Sequence, residues 1–167
     1  MVHVLLINEK GLSLDDAWYP WLKKECEKRE LTLLTADFPE EENVDNWRKK
    51  VFEYLKFLDS NSMIIGHGFG AEVALKVLEN KSRTVAAVFL VGGKLGEEQY
   101  DFENIKKKAR EFFVYASVDD KKIPAESTEH LAEMLGESVL QIQEAGHFDK
   151  IIEFEDLLID IISVLDS

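Results

Sequence analysis

At 167 residues, 46% of them hydrophobic, the chain is long enough to bury one core and too apolar to stay disordered. Its 33 acidic against 20 basic residues leave a net charge of −13, which repels phosphate backbones and argues against a nucleic-acid partner. No apolar run approaches the ~20 residues that span a bilayer, so no membrane association is expected, and Cys26 stands alone, so no disulfide can form within the chain.

Residues 2–7 open the chain as an apolar strand. They lack a basic leader and a small-residue cleavage site, so they read as a strand and not as a signal peptide. With the lone cysteine, this points to the cytoplasm. A helix is predicted over 16–30, burying Trp18, Trp21, Leu22 and Cys26, with Asp15 or Asp16 as its cap and Pro20 in its first turn. Strand 31–36 follows, then the acidic surface stretch Glu40-Glu41-Glu42. Helix 44–58 carries Val44, Trp47, Val51, Leu55 and Leu58 at spacings of three and four. Strand 62–66 leads through Gly68 into a helix with Val73, Leu75, Val77 and Leu78. Strand 84–91, a short basic helix over 102–110, strand 111–117, helix 125–135, strand 139–142 and helix 150–165 complete the chain. Most strands are continuous apolar runs, as in a parallel sheet buried on both faces. Unbroken β/α alternation predicts one domain spanning 1–167, a three-layer α/β/α sandwich with right-handed crossovers.

The most informative segment is Ile65-Gly66-His67-Gly68-Phe69-Gly70, a strand, three alternating glycines and a helix start. A nucleophile elbow, Gly-x-Ser-x-Gly, has the same setting, with its serine at the sharp turn where Gly68 stands. A dinucleotide-binding turn would need Gly-x-Gly-x-x-Gly after the first strand. Here Ala71 takes the place of the third glycine, and the motif follows the third strand. After the fifth strand, Asp119-Asp120-Lys-Lys-Ile123-Pro124 offers a carboxylate at Asp120, and after the sixth, Gly146-His147-Phe148 offers an imidazole. The order Gly68, Asp120, His147 is the triad order of α/β hydrolases. Alone, each segment is an ordinary turn; together they mark the carboxyl ends of three strands. His3 and His130 have no such setting. No cofactor or metal is expected, since His67 and His147 lack a carboxylate or cysteine at ligand spacing.

These segments, with Ala17-Trp18-Tyr19-Pro20-Trp21-Leu22 and Glu153-Phe154, make the chain similar to the small α/β-hydrolase-fold serine hydrolases related to retinoblastoma-binding protein 9 and the bacterial YdeN-type proteins. The resemblance implies six parallel strands in the order 2-1-3-4-5-6. It implies Asp120 as acid, His147 as base and position 68 as the nucleophile's. It places the oxyanion pocket at the loop beginning with Asn8 and at Phe69. Three departures stand out. Gly68 replaces the family's serine, the loop from Asn8 to Ser13 holds a single glycine, and residues 92–101 are short. A retinoblastoma-pocket motif around Cys26 is absent, because Lys24 and Lys28 stand where leucine and glutamate would be needed. A glycine offers no attacking atom. The expectation is therefore a pseudoenzyme of the hydrolase fold that lacks serine-hydrolase activity and binds a small-molecule or acyl ligand, or a partner. The alternatives are a weak hydrolase using water activated by His147, or an inactivated or redesigned ester hydrolase.

Overall fold

In the computed structural model, which describes residues 1–36, 38 and 43–167, the strands sort by hydrophobicity. The most apolar runs, β3 (Met63–His67) and β4 (Val85–Val91), lie centrally and are buried at every residue. β1 (His3–Ile7) and β5 (Ala109–Ser117) flank them, and β2 (Thr32–Thr35) and β6 (Val139–Gln143) are the half-exposed edges. All neighbours pair in parallel, in the order β2-β1-β3-β4-β5-β6. This is the expected sheet.

Apolar residues point to both faces, so two helical layers are needed to cover them. On one side Leu5, Ile7, Ile64 and Val88 pack with α2 (Val44–Phe52), α3 (Phe69–Asn80) and α5 (Ala125–Leu135). Trp47 of α2, fully buried, is stacked on Phe38 and set edge-on to Phe69. On the other side Val4, Leu6, Ile65 and Phe113 pack with α1 (Tyr19–Lys28) and α6 (Glu155–Leu165). Burying each such side chain contributes about 1.5–3 kcal/mol before chain entropy is set against it.

Several predicted boundaries move. α1 starts at Tyr19, and neither Asp15 nor Asp16 caps it: Asp16 accepts from the Ser13 N–H at 2.7 Å, closing the preceding loop instead. Pro20 does occupy the first turn, but Trp21 is only half-buried and Tyr19 takes the core position. Helix 44–58 breaks after Phe52 and resumes as a 3-10 turn, Leu55–Phe57. The basic helix shrinks to α4 (Phe102–Ile105), because Ala109 and Arg110 extend β5 and Ala109 pairs with Val85. In the last helix, residues 150–154 stay non-helical and bury Phe154 before α6 begins. The acidic stretch Glu40-Glu41-Glu42 lies outside the described residues. Among the described residues no helix is long and apolar enough to cross a membrane.

The register brings the strand ends level: Ile7 lies opposite Gly66, His67 opposite Val91, Val91 opposite Tyr115, and Ser117 opposite Gln143. The loops after β1, β3, β5 and β6 therefore meet along one edge, where open α/β sheets carry their sites.

Candidate functional site

The turn between β3 and α3 is built by glycines. A Cβ on Gly70 would overlap the Ile7 carbonyl, so only glycine lets α3 lie this close to β1. Gly68 precedes the helix at φ +57 and ψ −118, and its N–H donates to the Val91 carbonyl at 2.8 Å. Side chains rarely adopt that backbone conformation, which costs a non-glycine residue on the order of 1–3 kcal/mol. A second constraint comes from across the sheet. A Cβ at Gly68 would overlap the carboxylate of Glu9, which lies directly over it.

Glu9 enters from the loop after β1. Its Oε1 accepts from the backbone N–H of Phe69 at 2.9 Å and from that of Lys10 at 2.7 Å. Its Oε2 meets Nε2 of His147 in a close ion pair. The other ring nitrogen of His147, Nδ1, donates to Oδ2 of Asp120 at 2.8 Å. Oδ1 of Asp120 is held in turn by the N–H groups of Lys122 and Ile123, both at 2.9 Å. Asp120 and His147 are thus brought together, with Gly68 beside them. Asp119 turns away and binds the Ser117 hydroxyl at 2.7 Å and the Gly146 N–H at 2.9 Å, which secures the histidine loop. Asn8 shapes the loop and does not face Gly68: its amide donates to the carbonyls of Glu9 and Leu12. Phe69 contributes its N–H, while its ring packs on Trp47.

An ionised carboxylate can only accept hydrogen bonds. With a carboxylate against each ring nitrogen, His147 is placed to hold a proton on both. Burial alone would lower its pKa, but the bonds to Glu9 and Asp120 outweigh that and hold it above the usual histidine value. For Glu9, burial acts upward and is outweighed by the bond from His147 and the Phe69 N–H, so its pKa lies below the usual value. His147 finds its carboxylates far from its own segment, which spacing in sequence does not reveal.

A second histidine braces the arrangement. His67 is fully buried, and burial pushes its pKa down to about 4, so it is neutral near pH 7. Its Nε2 donates to the His147 carbonyl at 2.8 Å, which leaves Nδ1 to accept from the Tyr19 hydroxyl at 2.7 Å. The Tyr19 oxygen accepts in turn from the Glu9 N–H at 2.9 Å. Trp18 adds a bond from its indole N–H to the Phe148 carbonyl at 2.9 Å. The Trp18-Tyr19 pair therefore ties the glutamate loop to the histidine loop. Sequence reasoning missed Glu9, His67 and Tyr19. The only signals available were an acidic residue just after β1 and a histidine inside an apolar strand.

Glu9, Gly68, Phe69 and His147 line a cleft of about 360 Å³, with Lys94 and Lys122 among its other walls. Among the described residues no group of three or more His, Cys, Asp or Glu side chains is placed to hold a metal ion.

The whole chain superposes on the whole ydeN gene product of B. subtilis, with a TM-score of 0.95 at 21% identity. In sequence it is 24% identical to YdeN of Bacillus subtilis (strain 168) over 161 residues, 87% of this chain and 85% of YdeN. A serine hydrolase involved in carbazole degradation matches 99% of this chain and 90% of its own length, with a TM-score of 0.74 at 16% identity. A methylesterase from Arabidopsis matches 99% of each chain, with a TM-score of 0.73 at 10% identity. These likenesses establish the α/β-hydrolase fold. The profile of the Serine hydrolase family matches residues 5–159, from within β1 to within α6, and the chain belongs to that family.

Proposed function

We propose that this chain has given up the serine mechanism of its family and keeps the cleft as a binding site for a small molecule, with Glu9 standing where the nucleophile would be. The observation that carries this reading is the Glu9 carboxylate seated over Gly68, with one oxygen on two backbone N–H groups and the other on His147. Position 68 offers no attacking atom, and its neighbours His67 and Phe69 supply none. Losing the nucleophile alone removes on the order of 10⁶-fold from a subtilisin-type enzyme. Ser117 is no substitute, since its hydroxyl donates to Asp119 and accepts from the Ala145 N–H. The two N–H groups that would hold a substrate oxyanion are occupied by Glu9 itself, which would weaken acyl chemistry further. With respect to serine chemistry the chain is a pseudoenzyme.

The fit of Glu9 against Gly68 also bears on the alternatives. A hydrolase using water activated by His147 needs a free Nε2, and that nitrogen faces Glu9. A simple inactivated esterase would need one change; here a second residue fills the space that the first leaves open.

Fluorophosphonate labelling tests the reading. The unaltered chain should not label. Gly68→Ser should label slowly at position 68, because the new hydroxyl competes with Glu9 for His147. Gly68→Ser with Glu9→Ala should label about 10–100-fold faster, the range expected for removing one competing charged hydrogen bond. Stoichiometric labelling of the unaltered chain at any serine overturns the proposal.

A further inference from the structure

Resting on the absence of a serine mechanism but going beyond it, we propose that Glu9 is itself a nucleophile, and that the cleft takes a molecule with an electrophilic saturated carbon, an epoxide or an alkyl halide, and hydrolyses it through an ester of Glu9. Four features of the site support this. Oε1 rests on the Phe69 and Lys10 N–H groups, so one oxygen of the carboxylate is fixed by two donors. Oε2 stands beside His147, and both residues line the cleft. The glycine at 68 leaves the carboxylate its place. The Tyr19–His67 bridge fixes the backbone of Glu9 relative to that of His147.

The chemistry selects the substrate class. A carboxylate attacking an ester would form an anhydride, which lies uphill of the ester it came from. Attack on a saturated carbon instead forms an ordinary ester: the bond from Oε2 to carbon forms and the bond from carbon to the leaving group breaks. Lys94 lines the same cleft and supplies positive charge for the departing anion, whereas Lys122, also in its wall, is paired with Asp149 at 3.0 Å. Alkylation removes the charge of Glu9, so His147 keeps only Asp120 as an anionic partner and releases its Nε2 proton. That proton goes to the alkoxide of an opened epoxide, or to solvent when halide leaves. Neutral His147 then takes a proton from water as the water oxygen adds to Cδ of Glu9. The negative charge that develops on Oε1 falls on the two N–H groups already bonded to it. Collapse breaks the bond from Cδ to the alkyl oxygen, and the alcohol leaves with the proton from His147. Glu9 returns its remaining proton to His147, which restores the ion pair. The sum is epoxide plus water to diol, or alkyl halide plus water to alcohol, halide and a proton.

The test uses the whole chain with two probes, 4-nitrophenyl glycidyl ether and 1-bromohexane, followed by intact mass, peptide mapping and product analysis. Turnover of the first assigns the epoxide class, and turnover of the second the halide class. In a single turnover in oxygen-18-labelled water, the label should enter the Glu9 carboxylate and not the product. His147→Gln, checked for folding by circular dichroism, should accumulate one adduct per chain on Glu9. Glu9→Gln should abolish adduct and product. Label appearing in the product first, an adduct on Cys26 or His147 that survives Glu9→Gln, or no reaction of the unaltered chain with either probe overturns the inference. If the chain is inert to these probes and to fluorophosphonates alike, only the nucleophile inference falls. If a serine labels with fluorophosphonate, the reading beneath it falls.

Discussion

On one side of the cleft, the loops after β5 and β6 hold Asp120 and His147 in a hydrogen-bonded pair, each supported by its own turn. On the other side, the elbow after β3 carries no side chain at position 68, and the loop after β1 reaches across to fill it with Glu9. The first side joins two residues from neighbouring strand ends. The second is filled from the loop after another strand. The difference shows that the Asp120–His147 pair is held by its own backbone surroundings, through Asp119, His67 and the turn at Ile123, independently of what stands at position 68.

The largest expected effect comes from removing the residue both halves share. His147→Ala would leave Glu9 and Asp120 facing a vacated site without their common cation. Breaking a buried ion pair in this way costs about 3–5 kcal/mol, read as a lower urea midpoint. A loss below about 1 kcal/mol would mean that the two carboxylates do not depend on His147.

Gly68→Ala probes the side filled by Glu9. It adds positive-φ strain of about 1–3 kcal/mol and drives the Glu9 carboxylate from its seat. In a Glu9→Ala background the overlap is gone and only the strain remains, so the two changes should couple by about 0.5–3 kcal/mol in a double-mutant cycle. Strict additivity would contradict the seating of Glu9 over Gly68.

Tyr19→Phe cuts the tie between the sides. The Glu9 N–H and Nδ1 of His67 would each lose a buried partner, at a cost of about 1–3 kcal/mol. Proton exchange at the Glu9 amide should accelerate while that at Ile123, on the far side, stays unchanged. Equal acceleration at both amides would argue against a local bridge.

The smallest effect is on pH dependence. The folded pKa of Glu9 is depressed, so its contribution is present above its ordinary value of 4.5 and is lost as pH falls through the lower folded value. That of His147 is raised, so its contribution is complete below 6.5 and is lost as pH rises through the higher folded value. The pair therefore stabilises most between about pH 4.5 and 6.5. A Tm profile should fall on both sides of that window, and Glu9→Gln should flatten it. An unchanged profile in Glu9→Gln would place the titration elsewhere.

Much of this was legible in the residues. Residues 84–91 and 62–66 read as strands buried on both faces because their apolar runs are nearly continuous, and β4 and β3 are buried at every residue. The turns at Gly68, Asp120 and His147 were legible because glycine, Asx and Gly-His sequences impose local geometry. Boundaries failed where packing overrode local propensity: Ala109 and Arg110 read as helix but complete β5 beside Val85. Tyr19, which did not read as a core residue, is buried because its hydroxyl has partners on two other loops.

Sequence alone determined the alternation of strands and helices, the three loops that carry Gly68, Asp120 and His147, and the absence of an attacking atom at the elbow. All of these follow from periodicity, turn chemistry or residue identity within a few neighbours. Only the tertiary structure decided that Glu9 fills the gap. Glu9 and Phe69 lie 60 residues apart and meet because β1 and β3 are neighbours in the sheet. A glutamate in a loop carries no local signal of the distant amides and imidazole it will bind.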